Sequence, residues 1–156
     1  MIITGIEVIR GNPEVAPITN NPGFLVEVAP PGKLEVTYGQ TLRITTSFDY
    51  RGPAQTATLY GAIGNRGFFG FGEILANQAS IEVPESPADF TPCVASVDVP
   101  ITSEISPGTD YDLYVKIKEY PEAGLPEVDD VIDIVGVAPE FELVEYIIYP
   151  QAYLWE

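Results

Sequence analysis

The chain has 156 residues, with 23 acidic and 7 basic side chains, no histidine, one cysteine and a formal net charge of −16 at pH 7. That length supports one domain with a real core, and that charge sets the chain against polyanions, because binding phosphates needs clustered Lys and Arg. Nucleic acid and anionic membrane are therefore not expected partners.

The absence of histidine removes the side chain that most often moves protons near neutral pH and most often binds transition metals. A single cysteine, Cys93, excludes an intrachain disulfide and the paired-cysteine zinc sites. Cys93 is read as a small buried hydrophobe and not a nucleophile, since a thiolate would lack an imidazole partner. The 15 prolines and 14 glycines interrupt the chain so often that long helices and coiled coils cannot form. No apolar run approaches the ~18 residues that would span a bilayer. The opening MIITGIEVIR lacks a basic segment followed by an apolar run and a cleavage site, so a signal peptide is not expected, and the localisation read from it is cytoplasmic or in a virion.

Taken in chain order, the apolar patterning predicts strands at 2–9, 24–29, 33–38, 41–50, 55–63, 73–76, 79–83, 94–101, 109–118, 130–137 and 141–149. The second well-patterned strand, 41–50, alternates Leu42, Ile44, Thr46, Phe48 and Tyr50 inward with Arg43, Thr45, Ser47 and Asp49 outward. Residues 94–101 alternate Ala95, Val97, Val99 and Ile101 with Ser96, Asp98 and Pro100, and the proline marks an edge or a bulge. The clearest strand, 109–118, places Tyr111, Leu113, Val115 and Ile117 on one face. Asp110, Asp112, Tyr114, Lys116 and Lys118 fall on the other, which is expected to face solvent. Turn signals such as Pro30-Pro31-Gly32, Arg51-Gly52-Pro53 and Ser106-Pro107-Gly108 separate these segments. Short strands at this spacing define an all-β antiparallel sandwich or barrel, read as one domain over 1–156 with no internal repeat.

The segment ISPGTDYDLYVKI, 105–117, resembles the entry to the penultimate strand of fibronectin type III and related immunoglobulin-like domains, where a Pro-Gly turn leads into a "tyrosine corner". Tyr111 matches the corner tyrosine, and TLRITTSFDYRG, 41–52, is similar to the second strand of such sandwiches. The resemblance implies an immunoglobulin-like β-sandwich with a core at about 36–137. Residues 1–35 and 138–156 would be terminal extensions supplying additional strands. It implies a corner geometry and no activity. The sequence departs from the family in that Trp155 lies at the C-terminus and the paired cysteines of antibody domains are missing.

Two apolar segments stand out as candidate partner-binding sites. Gly64-Asn65-Arg66-Gly67-Phe68-Phe69-Gly70-Phe71-Gly72 does not follow the glycine order of a nucleotide loop. It is read either as a hairpin whose phenylalanines fold back on the domain or as a mobile loop offering Phe68, Phe69 and Phe71 to a partner. The C-terminal run ends in Tyr153, Leu154 and Trp155, three natural interface anchors.

Other groupings carry less. Glu122, Glu127, Asp129, Asp130 and Asp133 could ligate calcium but lack the spacing of known calcium loops, and a solvated charged loop is favoured. Asp110 and Asp112 could pair as glycosidase carboxylates, but alternation places them on solvent beside lysines. No catalytic set, cofactor or metal is assigned. The expected function is a non-catalytic structural or docking subunit of a larger assembly, such as a capsid decoration or tail accessory protein, acting through self-association or a protein partner. The alternative is a carbohydrate- or calcium-binding module of a secreted or cell-surface protein, with Tyr38, Tyr50, Tyr60, Tyr114 and Trp155 as a sugar platform.

Overall fold

The computed structural model describes residues 1–9 and 33–137. The segments 24–29 and 141–149, and with them Tyr153, Leu154 and Trp155, lie outside the described residues. Among the described residues eight strands run β1 (Ile2–Ile9), β2 (Leu34–Val36), β3 (Thr41–Gly52), β4 (Gln55–Gly67), β5 (Gly70–Val83), β6 (Ser86–Pro100), β7 (Gly108–Ile117) and β8 (Glu127–Ile134). The helical content of the described residues is one 3₁₀ turn at Pro121–Ala123. The all-β class read from the sequence is the class of the fold.

The strands form two sheets, one three-stranded in the order β1-β3-β6 and one five-stranded in the order β2-β8-β7-β4-β5. All pairings are antiparallel except β2 with β8, which run parallel from Leu34↔Ile132 to Val36↔Ile134. Ile44, Val97 and Val99 of the smaller sheet share one apolar cluster with Leu59, Ile63, Leu113 and Val115 of the larger. Every one of these is essentially inaccessible to solvent. The sheets come close enough that Gly61 is needed on β4, since a Cβ there would lie 2.6 Å from Val97 Cγ1 and 3.3 Å from Ile44 Cδ1.

On the face of the smaller sheet opposite the core cluster, Arg43, expected outward but itself buried, sits directly across from Asp98. It donates to both carboxylate oxygens, Nε to Oδ1 at 2.8 Å and Nη2 to Oδ2 at 3.0 Å. This two-pronged geometry holds the β3–β6 register, and Thr45 hydrogen-bonded to Ser96 at 2.9 Å continues it.

Three expectations need correction. The segments 73–76 and 79–83 are parts of one 14-residue strand, at the edge of its sheet among the described strands. The strand expected at 94–101 begins at Ser86 despite Pro87 and Pro92, which it tolerates because β6 is an edge strand among the described strands. Asp112, expected on solvent, is 5% exposed. Alternation correctly assigns it to the face opposite Tyr111 and Leu113, but that face is covered at this point by the root of the β4–β5 hairpin and by β8, whose backbone amides its carboxylate binds.

Candidate interaction site

The glycine-rich stretch forms the end of the β4–β5 hairpin. Pairing continues through Asn65↔Gly72 and Arg66↔Phe71 to Gly67↔Gly70, so the turn holds two residues, Phe68 and Phe69. The ladder slips between Ile63 and Gly64. Only glycine fits there, because a Cβ on Gly64 would lie 2.0 Å from the carbonyl oxygen of Gly72. Gly70, at φ +119°, completes the turn in a region closed to ordinary side chains.

The root of the hairpin is held from the neighbouring strands. Asp112 accepts the Arg66 amide through Oδ2 and the Asp130 amide through Oδ1, both at 2.7 Å, linking β4, β7 and β8 through one carboxylate. The Arg66 side chain turns back to Glu127 at 2.9 Å and Asp129 at 3.1 Å. β7 and β8 slip in register on either side of Tyr111. Asp110 and Asp130 both adopt left-handed backbone there, at φ +65° and +56°. Each gives its amide to a carboxylate on the other strand: Asp110 to Asp133 at 3.1 Å and Asp130 to Asp112. Aspartate tolerates this conformation better than most residues, and each amide left without a ladder partner is taken by a carboxylate.

At the tip, Phe68 and Phe69 are 95% and 99% exposed. Their rings meet edge to face at 5.1 Å between centroids. Phe71 is placed differently, half-buried on β5 with its ring 4.6 Å from that of Tyr114. Behind it, the outer face of the larger sheet carries a polar aromatic group. Glu73 Oε1 accepts the hydroxyls of Tyr60 at 2.5 Å and Tyr114 at 3.1 Å. Burial first, and then the bond to Glu73, pushes the Tyr114 phenol up to about 12 and raises that of Tyr60 as well. Lys116 and Lys118 lie over the Tyr60 ring at 5.0 and 5.4 Å.

At the far end of β4 and β5 a cleft of about 670 Å³ opens between the sheets. Its apolar wall includes Phe48, Tyr50, Val83, Phe90 and Ile117. Phe90 is 61% exposed and carries the Arg51 guanidinium 4.6 Å above its ring. The rim is ordered by a hydrogen-bonded chain: Tyr120 donates to Gln55 Oε1 at 2.6 Å, Gln55 Nε2 to Tyr50 at 2.8 Å, and Tyr50 to the carbonyl of Pro53 at 2.6 Å.

Tyr111 is 8% exposed and donates to the carbonyl of Ser106 at 2.7 Å, five residues upstream. The corner is tight, since a Cβ on Gly108 would lie 3.2 Å from the Tyr111 hydroxyl.

The remaining groupings disperse. Asp110 pairs with Lys33 while Asp112 is enclosed by two amides, so the two carboxylates do not face a common space. Among the described residues no group of three or more His, Cys, Asp or Glu is arranged to hold a metal. Tyr60 and Tyr114 share the sheet face, whereas Tyr38 is bonded to Ile105 and Tyr50 lines the end cleft. Cys93 is buried, and its surroundings, then Asp49, push its thiol up, away from the reactive thiolate. The Asp112 clamp, the Glu73–tyrosine group and the end cleft were not read from the sequence. The short spacing Glu73…Tyr60…Tyr114 on adjacent strands is visible only once register is known.

No protein-family model and no curated protein matches the chain. Among solved structures, the chain is similar at a TM-score of 0.35 and 11% identity to the Pseudomonas fluorescens alkylpurine DNA glycosylase AlkC bound to DNA containing an abasic site analog. That alignment covers 82% of this chain and 30% of the glycosylase, and at that TM-score it carries no argument.

Proposed function

We propose that the protein is an immunoglobulin-like, non-catalytic docking module that joins a larger protein assembly through the tip of its β4–β5 hairpin. Two orders of strands support the immunoglobulin-like reading. The run β8-β7-β4-β5 corresponds to the G-F-C-C′ order of a variable-type sandwich, and β1-β3-β6 to A-B-E, with Tyr111 at the corner of the F-like strand.

The observation that carries the docking reading is the pair Phe68 and Phe69, almost wholly exposed on a hairpin whose root is fixed by Asp112 and Arg66. Two aromatic rings presented on a braced scaffold lose little conformational freedom on binding, which is how interface anchors act. The charge of −16 favours a protein surface over a polyanion as the partner.

The test is the particle mass of the full chain, both in native extract and purified, against Phe68→Ser/Phe69→Ser. The wild type should run in a larger particle in at least one setting and the variant should not, with an unchanged thermal midpoint. A wild type that is monomeric in both settings, or a variant that assembles equally well, overturns the proposal.

A further inference from the structure

The same tip and the end cleft lie at opposite ends of two shared strands. On β4, Gln55 and Ala57 line the cleft and Gly67 starts the turn; on β5, Gly70 leaves the turn and Val83 lines the cleft. At ~3.3 Å per residue the separation along β4 is about 33–40 Å, so a tip cannot reach the cleft of its own chain. We infer that the partner of the hairpin tip is a second copy of this chain, whose end cleft receives Phe68 and Phe69 in a head-to-tail contact. The inference rests on the docking reading above and names its partner.

Three observations support it. The first is size: an apolar cavity of roughly 150 Å³ holds a benzene ring, and the cleft, at about 670 Å³, has room for both phenyl rings. The second is chemistry. The wall is aromatic and aliphatic, and the exposed Phe90 with Arg51 stacked on it gives an incoming ring an edge and a cation to meet. The third is area. Two phenylalanines bury about 300–500 Å² on the tip side, at the low end for a specific interface, which suits a weak, reversible contact. A projecting apolar group facing a pocket elsewhere on the same molecule makes a heterologous contact, which leads to rings or open filaments and not to a closed two-fold dimer. Because every copy carries −16, association should strengthen as salt screens the repulsion.

Complementation of two surface variants of the full chain tests this. Phe68→Ser/Phe69→Ser removes the tip and leaves the cleft; Arg51→Glu/Phe90→Glu places two carboxylates at exposed cleft positions and leaves the tip. Each variant's fold is checked by its thermal midpoint. In sedimentation at concentrations up to about 1 mM and raised salt, the wild type should show a mass that climbs with concentration. Each variant alone should stay monomeric, and their mixture should stop at a 1:1 heterodimer. A wild type monomeric throughout, a mixture without heterodimer, or a tip variant that still self-associates overturns the inference. Tip-dependent assembly in native extract with a monomeric purified chain would overturn it while leaving the docking reading intact.

Discussion

Replacing Asp112 by Ala should destabilise the protein more than any other change of a single carboxylate among the described residues. The carboxylate is 5% exposed and accepts two backbone amides at 2.7 Å from strands that flank its own. A hydrogen bond to a charged group contributes about 1.5–3 kcal/mol. Two such bonds, partly replaced by water on the hairpin side where Arg66 is exposed, give a loss of about 3–4 kcal/mol on truncation. For a chain of this size that corresponds to a fall of roughly 10 °C in thermal midpoint. Asp112→Asn keeps one acceptor but turns its NH₂ toward the second donor, so roughly half the loss is expected. Thermal and denaturant unfolding measure the totals, and amide hydrogen exchange gives the local signature, with Arg66 and Asp130 exchanging faster in the Ala variant. An Asp112→Ala protein within about 1 kcal/mol of the parent, or one with unchanged exchange at both amides, would show that the carboxylate does not brace the hairpin.

Tyr111→Phe should cost about 1 kcal/mol through the bond to Ser106, and Tyr111→Ala about 3–5 kcal/mol through the cavity, both read from denaturant midpoints. Gly64→Ala should cost more than about 3 kcal/mol, because its Cβ meets the backbone oxygen of Gly72 and no side chain there can move aside; a near-neutral variant would contradict the bulge geometry. In a tyrosinate absorbance titration, Tyr60 and Tyr114 should ionise late, and Glu73→Gln should bring both down only in part, since burial is the larger cause. Since the Tyr114 phenol is raised in the folded state, its contribution to stability is complete below pH 10 and lost as pH climbs through about 12, so unfolding should become easier across that window.

Much of the fold was legible in the sequence because period-two alternation reports directly on which face of a strand meets the core. Tyr111, Leu113, Val115 and Ile117 are buried as their spacing requires, and so are Leu42, Ile44, Thr46 and Phe48. Alternation says nothing of what covers the opposite face, which is why Asp112 was placed on solvent while the hairpin root and β8 lie across it. The polar run Asn77-Gln78 split β5 into two expected strands; on an edge strand such residues need no sheet partner on one side, and Asn77 instead donates to the carbonyl of Asp98 at 2.7 Å. Of the candidate site, the sequence left open whether Phe68 and Phe69 fold back or project, and the two-residue turn that exposes them is defined only by the Gly67↔Gly70 pairing. The distinct placement of Phe71 depended on Tyr114, 43 positions later on a strand two places across the sheet, and pairings of that range leave no local mark.

β2 is made long before the strand it pairs with. β2 pairs only with β8 among the described strands, and the amino group of Met1 bonds the carbonyl of Ala123, 122 positions away. At about 5–20 residues per second, a nascent chain spends several seconds with β2 unpaired and the larger sheet open at that edge. β1 and β3 can join early, but the parallel edge cannot form until Ile132 to Ile134 have left the ribosome. Closure of the larger sheet is thereby tied to the emergence of β8, and ribosome-bound chains stalled before Glu127 should stay open to protease while those whose Val137 has left the ribosome become resistant.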